Sequence, residues 1–253
     1  MSEFNKARRR MKRFFSGIMP GNNKGGIAIT FDDAFVDEWC SLKGLFDAYG
    51  ARATFFVSQF DKLTKNSIEK LGAIQDGGHE IGYHGLRHLN AVRFAEEKSV
   101  DEYVAAEIRP GIKMMAGYGF AATSFSYPYG ARSPQTDAAL LKYFRYVRGT
   151  AFTDRKKRIV DLDQIYYRNG GKKVIHGAGM DNFYNNSIGE IQEGIRRADE
   201  MKEIIVLYAH KPANDSRDYS VPLEKLEAVI QYASERGMTF CRISDLNGEA
   251  EKQ

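Results

Sequence analysis

Short apolar runs recur along the chain, at GIAITF (26–31), ATFFV (53–57), HEIGY (79–83), TSFSY (123–127), FRYVRG (144–149), QIYYR (164–168), IIVLYA (204–209) and MTFCRI (238–243). They are rich in β-branched and aromatic residues, a composition that packs well on a pleated, buried surface. Between them the period changes. Residues 36–49 place Trp39, Leu42, Leu45, Phe46 and Tyr49 on one helical face, and 64–76, 98–117, 134–143, 187–202 and 222–236 behave alike. Near-continuous apolar strands, each followed by a helix, predict a parallel sheet covered on both sides. Seven or eight strands in 253 residues favour closure over an open sheet. The expected fold is therefore α/β: a single distorted (β/α) barrel of seven or so parallel strands, with its active site at the C-terminal strand ends.

Composition changes this picture little. The hydrophobic fraction of 43% and charged fraction of 28% are ordinary for a soluble chain, and the net charge is a mild +4. Much of the excess lies in ARRRMKR at 7–13, which reads as a solvated arm or as a contact to an anionic glycan or lipid surface. No repeat, low-complexity tract or Pro/Gly linker divides the rest. The Gly25–Gly26 pair marks the boundary, giving a basic arm at 1–25 and one domain at 26–253. Cys40 and Cys241 form no CxxC motif and no disulfide framework. No run is long enough to span a membrane, and no apolar segment with a cleavage site follows the basic start. On sequence alone the protein stays inside the cell, unless an export segment lies outside the numbered chain. Nothing points to nucleic acid, and the oligomeric state is not legible.

The barrel rule sorts the polar residues. Asp32 and Asp33 end the first strand, His84 and His88 follow the third, Tyr127 to Gly130 follow the fourth, and His210 follows IIVLYA. All converge on the carboxyl end. Taken singly, an acidic pair is often a helix N-cap, and histidines four apart can simply share a helix face. Taken together, one carboxylate and two imidazoles suit Zn²⁺ or a similar divalent ion and leave a position open for water.

These stretches resemble the polysaccharide deacetylases, the NodB-homology or carbohydrate esterase family 4 enzymes. ITFDDAF looks like the family's TFDD motif, GGHEIGYHGLRH like its GHEIGxHxxxH motif, FSYPYG like its third motif, and IVLYAHKP like the late strand with its catalytic histidine. The resemblance runs in family order over residues 27 to 243. It implies that Asp33, His84 and His88 bind one divalent metal, with Zn²⁺ expected and Co²⁺, Ni²⁺ or Mn²⁺ as alternatives. It implies that Asp32 is the general base toward the attacking water. The backbone N–H of Tyr129 would steady the oxyanion, and His210 would protonate the leaving amine. The implied substrate is an N-acetylated glycan or glycoconjugate of the GlcNAc type, cut to acetate and a free amino sugar.

Several positions depart from the family. Ala34 stands for the usual Gly, and Gly85 for the Ser or Thr after the first metal histidine. The third-motif arginine, which pairs with the base, is missing: Ser126 or Tyr127 takes its place. Arg148, in YVRGT of the next strand, either reaches the same site or is a salt-bridged rim residue. The fourth motif, with its Asp and Trp, is not recognisable; the single Trp is Trp39, and Asp181 is offered as the partner of His210. Tyr208 stands where a leucine shapes the acetate pocket. His79 reads as structural; His176, at the end of KKVIH before a glycine-rich loop, is either structural, the favoured reading, or a residue lining the cleft. Tyr118, Tyr129, Tyr166, Tyr167 and Tyr184 are candidates for stacking on sugar rings. Two other readings stay open: hydrolysis of a non-sugar C–N bond, and a catalytically silent glycan-binding module.

Overall fold

The computed structural model describes residues 24–151, 157–168 and 170–246. The basic run at 7–13 lies outside these residues. Seven parallel strands form a closed ring: β1 (Gly26–Asp33), β2 (Ala53–Val57), β3 (Glu80–Tyr83), β4 (Ser124–Ser126), β5 (Tyr146–Thr150), β7 (Val174–Gly179) and β8 (Ile204–Ala209). Pairing of β8 back onto β1, from Gly26↔Ile204 to Phe31↔Ala209, closes the barrel. Amphipathic helices cover its outside, among them Lys65–Asp76, Ile188–Met201 and Leu223–Glu235.

Two strand expectations are corrected. The QIYYR run contributes only β6 (Tyr166–Tyr167), which pairs antiparallel with β8 outside the ring. Its expected place is taken by β7, sequence VIHGAG. MTFCRI contributes only β11 (Thr239–Phe240), a short strand beside β1. A short pair, β9 (Lys211–Pro212) and β10 (Ser220–Val221), follows β8 near the carboxyl end.

The outer core lies between barrel and helices. There Phe31, Trp39, Phe46 and Phe55 pack ring against ring. Burying each such side chain stabilises the fold by roughly 1.5–3 kcal/mol. A second cluster, including Ala28, Phe56, Tyr146, Ile175 and Val206, fills the barrel interior. Side chains alternate along a strand, so residues two apart share a face. Continuing each inward series toward the carboxyl end leads from Ala28 through Thr30 to Asp32, from Tyr146 to Arg148, and from Val206 through Tyr208 to His210. The amino end is sealed differently. Buried Glu80 accepts hydrogen bonds from the Thr54 hydroxyl (2.8 Å), the Ser124 hydroxyl (2.6 Å) and the Ser244 N–H (2.9 Å).

Candidate active site

Asp33, His84 and His88 come together at the carboxyl end. His84 Nε2 and His88 Nε2 lie 3.2 Å apart. The Asp33 carboxylate oxygen Oδ1 is 3.6 Å from the first and 3.3 Å from the second. Donors bound tetrahedrally at about 2.0–2.1 Å stand roughly 3.3–3.4 Å from one another, so the triangle has the dimensions a zinc-sized ion requires. The tautomer fits too. His84 Nδ1 is 2.8 Å from the Ser126 carbonyl, so it carries the proton and Nε2 presents a lone pair. Burial pushes the His84 pKa down to about 4, which keeps it neutral. Burial alone would raise Asp33, but the hydrogen bond from His88 and the nearby imidazoles hold it at about 2.

The two histidines are not on a helix. They sit in a loop in which Gly85 has φ +87° and His88 φ +57°. Gly85 is the residue type for that left-handed turn, which accounts for its presence where the family has Ser or Thr. Asp33 is also left-handed, at φ +84°. That turn at the end of β1 separates it from its neighbour: Asp33 faces the imidazoles while Asp32 stays inside the barrel.

Asp32 is buried, and its Oδ2 is gripped by the Arg148 guanidinium, with the Ser126 hydroxyl 3.4 Å away. Its Oδ1 is buried without a hydrogen-bond partner. Burial raises the Asp32 pKa, but Arg148 and then the neighbouring His84 and His210 outweigh it, and the net direction is down. Arg148 is itself fully buried, its Cζ 4.8 Å from the Tyr208 ring centroid and 5.5 Å from that of Phe56. Ser126 and Arg148 are direct register partners on β4 and β5. The arginine therefore arrives from one strand over at the same height. It is not a rim residue.

His210 follows β8. Its Nδ1 is 2.7 Å from Asp181 Oδ2, and its backbone N–H donates to Asp181 Oδ1 at 3.0 Å. Burial disfavours the imidazolium, but the Asp181 carboxylate overrides it and raises the His210 pKa. The Trp39 indole N–H donates to the His210 carbonyl at 2.9 Å. Tyr129 follows Pro128 in a left-handed turn (φ 60°, ψ 8°), and its ring, 71% exposed, lies edge-on to His88. Tyr219 lies edge-on to His210 and is half exposed. The sequence reading missed it because no strand pattern marks that loop.

The remaining candidates scatter. Tyr208 is buried under Arg148, with Tyr184 against it. Tyr166 and Tyr167 pair with Ile205 and Ile204 at the opposite end of β8, away from the site. Tyr118 caps a helix that precedes β4, so it too lies toward the amino end. His79 accepts the Ala53 N–H at 3.1 Å and packs on Phe46 and Phe55, a structural role. His176 lies on β7, 3.5 Å from the Arg132 guanidinium, and burial and that charge lower its pKa to about 4.

The described residues contain no helix long and apolar enough to cross a membrane. The polysaccharide deacetylase family profile matches residues 20–147, half of the chain, and stops one residue before Arg148. A probable peptidoglycan-N-acetylglucosamine deacetylase of Arthroderma benhamiae is 36% identical over 118 residues, covering 44% of this chain and a quarter (25%) of its own length. Among solved structures, the Bc1960 peptidoglycan N-acetylglucosamine deacetylase superposes with a TM-score of 0.59 at 15% identity over 94% of each chain. BA3943 of Bacillus anthracis, described as a family 4 pseudoenzyme, superposes at 0.57 with 14% identity over 89% of this chain and 66% of its own. The structural likenesses speak for the barrel, and the profile for the lineage: the chain belongs to the polysaccharide deacetylase family.

Proposed function

We propose that the protein is a metal-dependent N-deacetylase that removes acetyl groups from an N-acetylated, GlcNAc-containing glycan. The observation that carries this is the state of Asp32. It is buried beside the Asp33–His84–His88 triangle, with one oxygen fixed by Arg148 and the other free. That is the arrangement a general base needs: held in one orientation, kept ionised, and left with a lone pair to take a proton.

A Zn²⁺ ion, or Co²⁺, Ni²⁺ or Mn²⁺, held by Asp33, His84 and His88 would supply Lewis acidity toward water and the acyl oxygen. The protein's own residues do the rest. Asp32 Oδ1 takes a proton from the attacking water as its oxygen bonds to the acetamide carbon. The Tyr129 backbone N–H, in the left-handed turn after Pro128, would donate to the oxygen that gains charge. His210, whose pKa Asp181 raises, gives its proton to the nitrogen as the C–N bond breaks. Acetate and a free amine leave.

The name of the Arthroderma benhamiae relative supports the choice of sugar. A silent module of the same fold is the competing outcome, since BA3943 is described as one. The test is release of acetate and free amine from a panel of N-acetylated glycan oligomers, with and without a chelator. Chelator-sensitive release in equal amounts supports the reading. Tight glycan binding without release would replace it with the silent module.

A further inference from the structure

The loop between Tyr83 and His88 holds two left-handed residues and presents two imidazoles to one point, a shape that no regular element imposes. From the β2 side it is held by its backbone: the His84 N–H donates to the Val57 carbonyl (2.9 Å), and the Gln59 N–H to the Gly85 carbonyl (3.1 Å). From the other side a single residue touches both of its ends. Glu107 Oε2 accepts the Arg87 backbone N–H at 2.9 Å, and Oε1 accepts the Arg87 Nε–H at 2.8 Å. The Glu107 carbonyl accepts the Tyr83 hydroxyl at 2.5 Å. A Cβ on Gly85 would stand 3.1 Å from Glu107 Oε2, so the carboxylate also lies against the turn itself.

The local sequence explains how Glu107 gets there. It lies in a π-helical turn, Val104–Ile108, between the helical segments Val100–Tyr103 and Arg109–Gly117. Pro110 has no N–H to offer the carbonyl four residues back, and its ring crowds that carbonyl; a wider turn relieves both. Gly111 then leaves room for the Tyr83 hydroxyl, which a Cβ there would overlap. The Glu107 side chain is wholly buried, while Arg87 is half exposed. A buried carboxylate with one half-solvated partner is a poor source of stability, and an apolar residue would serve that end better. What the carboxylate supplies instead is direction, through two hydrogen bonds to one residue of the loop.

We propose that Glu107 is a positioning residue of the metal centre, fixing the 83–88 loop so that the His84 and His88 donors converge with Asp33. This rests on the reading of that triangle as a metal site. Its test measures metal affinity and not turnover. The Zn²⁺ dissociation constant is determined by chelator competition, with the Co²⁺ visible spectrum as a report on coordination and apo-protein unfolding as a separate report on stability. Glu107→Ala should weaken Zn²⁺ about 10–100-fold and alter the Co²⁺ bands. Glu107→Gln, which keeps an acceptor for the Arg87 N–H, should lose several-fold less. A folded Glu107→Ala protein with wild-type Zn²⁺ affinity would overturn the proposal. Should that variant not fold, Gly85→Ala decides. Its Cβ presses on Glu107 Oε2 and strains the turn that the carboxylate holds, while both charges of the ion pair remain; weakened Zn²⁺ binding supports the proposal and unchanged binding overturns it. His88→Ala separates the two levels. If wild type holds no ion, or His88→Ala binds it equally well, the metal reading itself falls and takes the proposal with it.

Discussion

Ser126 and Arg148 face one another across β4 and β5, and this single register relation accounts for the main departure from the family pattern. Arg148 reaches Asp32 from β5, and Tyr208 and Phe56 flank it. Tyr208 and Arg148 touch, so the departures at these two positions are physically linked. Arg148→Ala should then have two effects. Stability should fall by about 3–5 kcal/mol, because Asp32 is left charged and buried without its partner. The acidic limb of the pH–rate profile should move to higher pH: the base works only when ionised, Arg148 lowers its pKa, and removing Arg148 raises it. Arg148→Lys should recover little, since a point-like ammonium cannot lie against the Tyr208 ring and also reach both Asp32 Oδ2 and Ser126 Oγ. An unshifted acidic limb in Arg148→Ala would assign that limb to another group. For the acid the sign reverses. Asp181 raises the His210 pKa, and activity is lost as pH rises through it. Asp181→Asn should therefore move the alkaline limb to lower pH, which the same profile reads.

At the scale of elements, the ring was legible where strands carry large side chains and illegible where they do not. QIYYR has the aromatic, β-branched composition of a barrel strand, yet only two of its residues pair, and they pair outside the ring. VIHGAG has weak strand propensity and is a full member. The reason lies across the sheet. A Cβ on Gly177 would come 3.1 Å from the Tyr208 ring, and one on Gly179 would overlap Tyr184. β7 is built from small residues because its neighbours' rings need the space. Gly179→Ala should displace Tyr184 and, through it, the Tyr208–Arg148 stack, costing about 1–3 kcal/mol by overpacking and lowering turnover. Thermal unfolding and steady-state rates measure both. The convergence of Asp33, His84, His88, Asp32 and His210 was legible because motif order and strand-end placement coincide. The His84–His88 spacing left a helix open as an alternative; the loop that replaces it depends on Gly85 and on Glu107, nineteen positions beyond His88. Asp181 had no family motif around it and was offered only from its place in HGAGMDN, yet it does meet His210; Tyr219 depends on the loop between β9 and β10.

The whole molecule divides its work between the two ends of the barrel. At the amino end, Glu80 gathers three donors from three different segments and closes the interior. Glu80→Ala should cost about 2–4 kcal/mol, since the buried donors lose their acceptor, while turnover per folded molecule holds. At the carboxyl end the polar groups converge on the triangle, and an ion bound there should stabilise the fold by mass action, so a chelator should lower the melting temperature. The central claim is that Asp32 is the base beside a separate metal site, and one measurement addresses it most directly. Wild type and Asp32→Asn are each loaded with one equivalent of Zn²⁺, and acetate release from an N-acetylglucosamine oligomer is followed. Asp32→Asn keeps the shape and the three donors but cannot accept the proton. The account predicts one bound ion in both proteins and a rate about 10²–10⁴-fold lower in the variant. A rate near wild type, with the ion still bound, would contradict it.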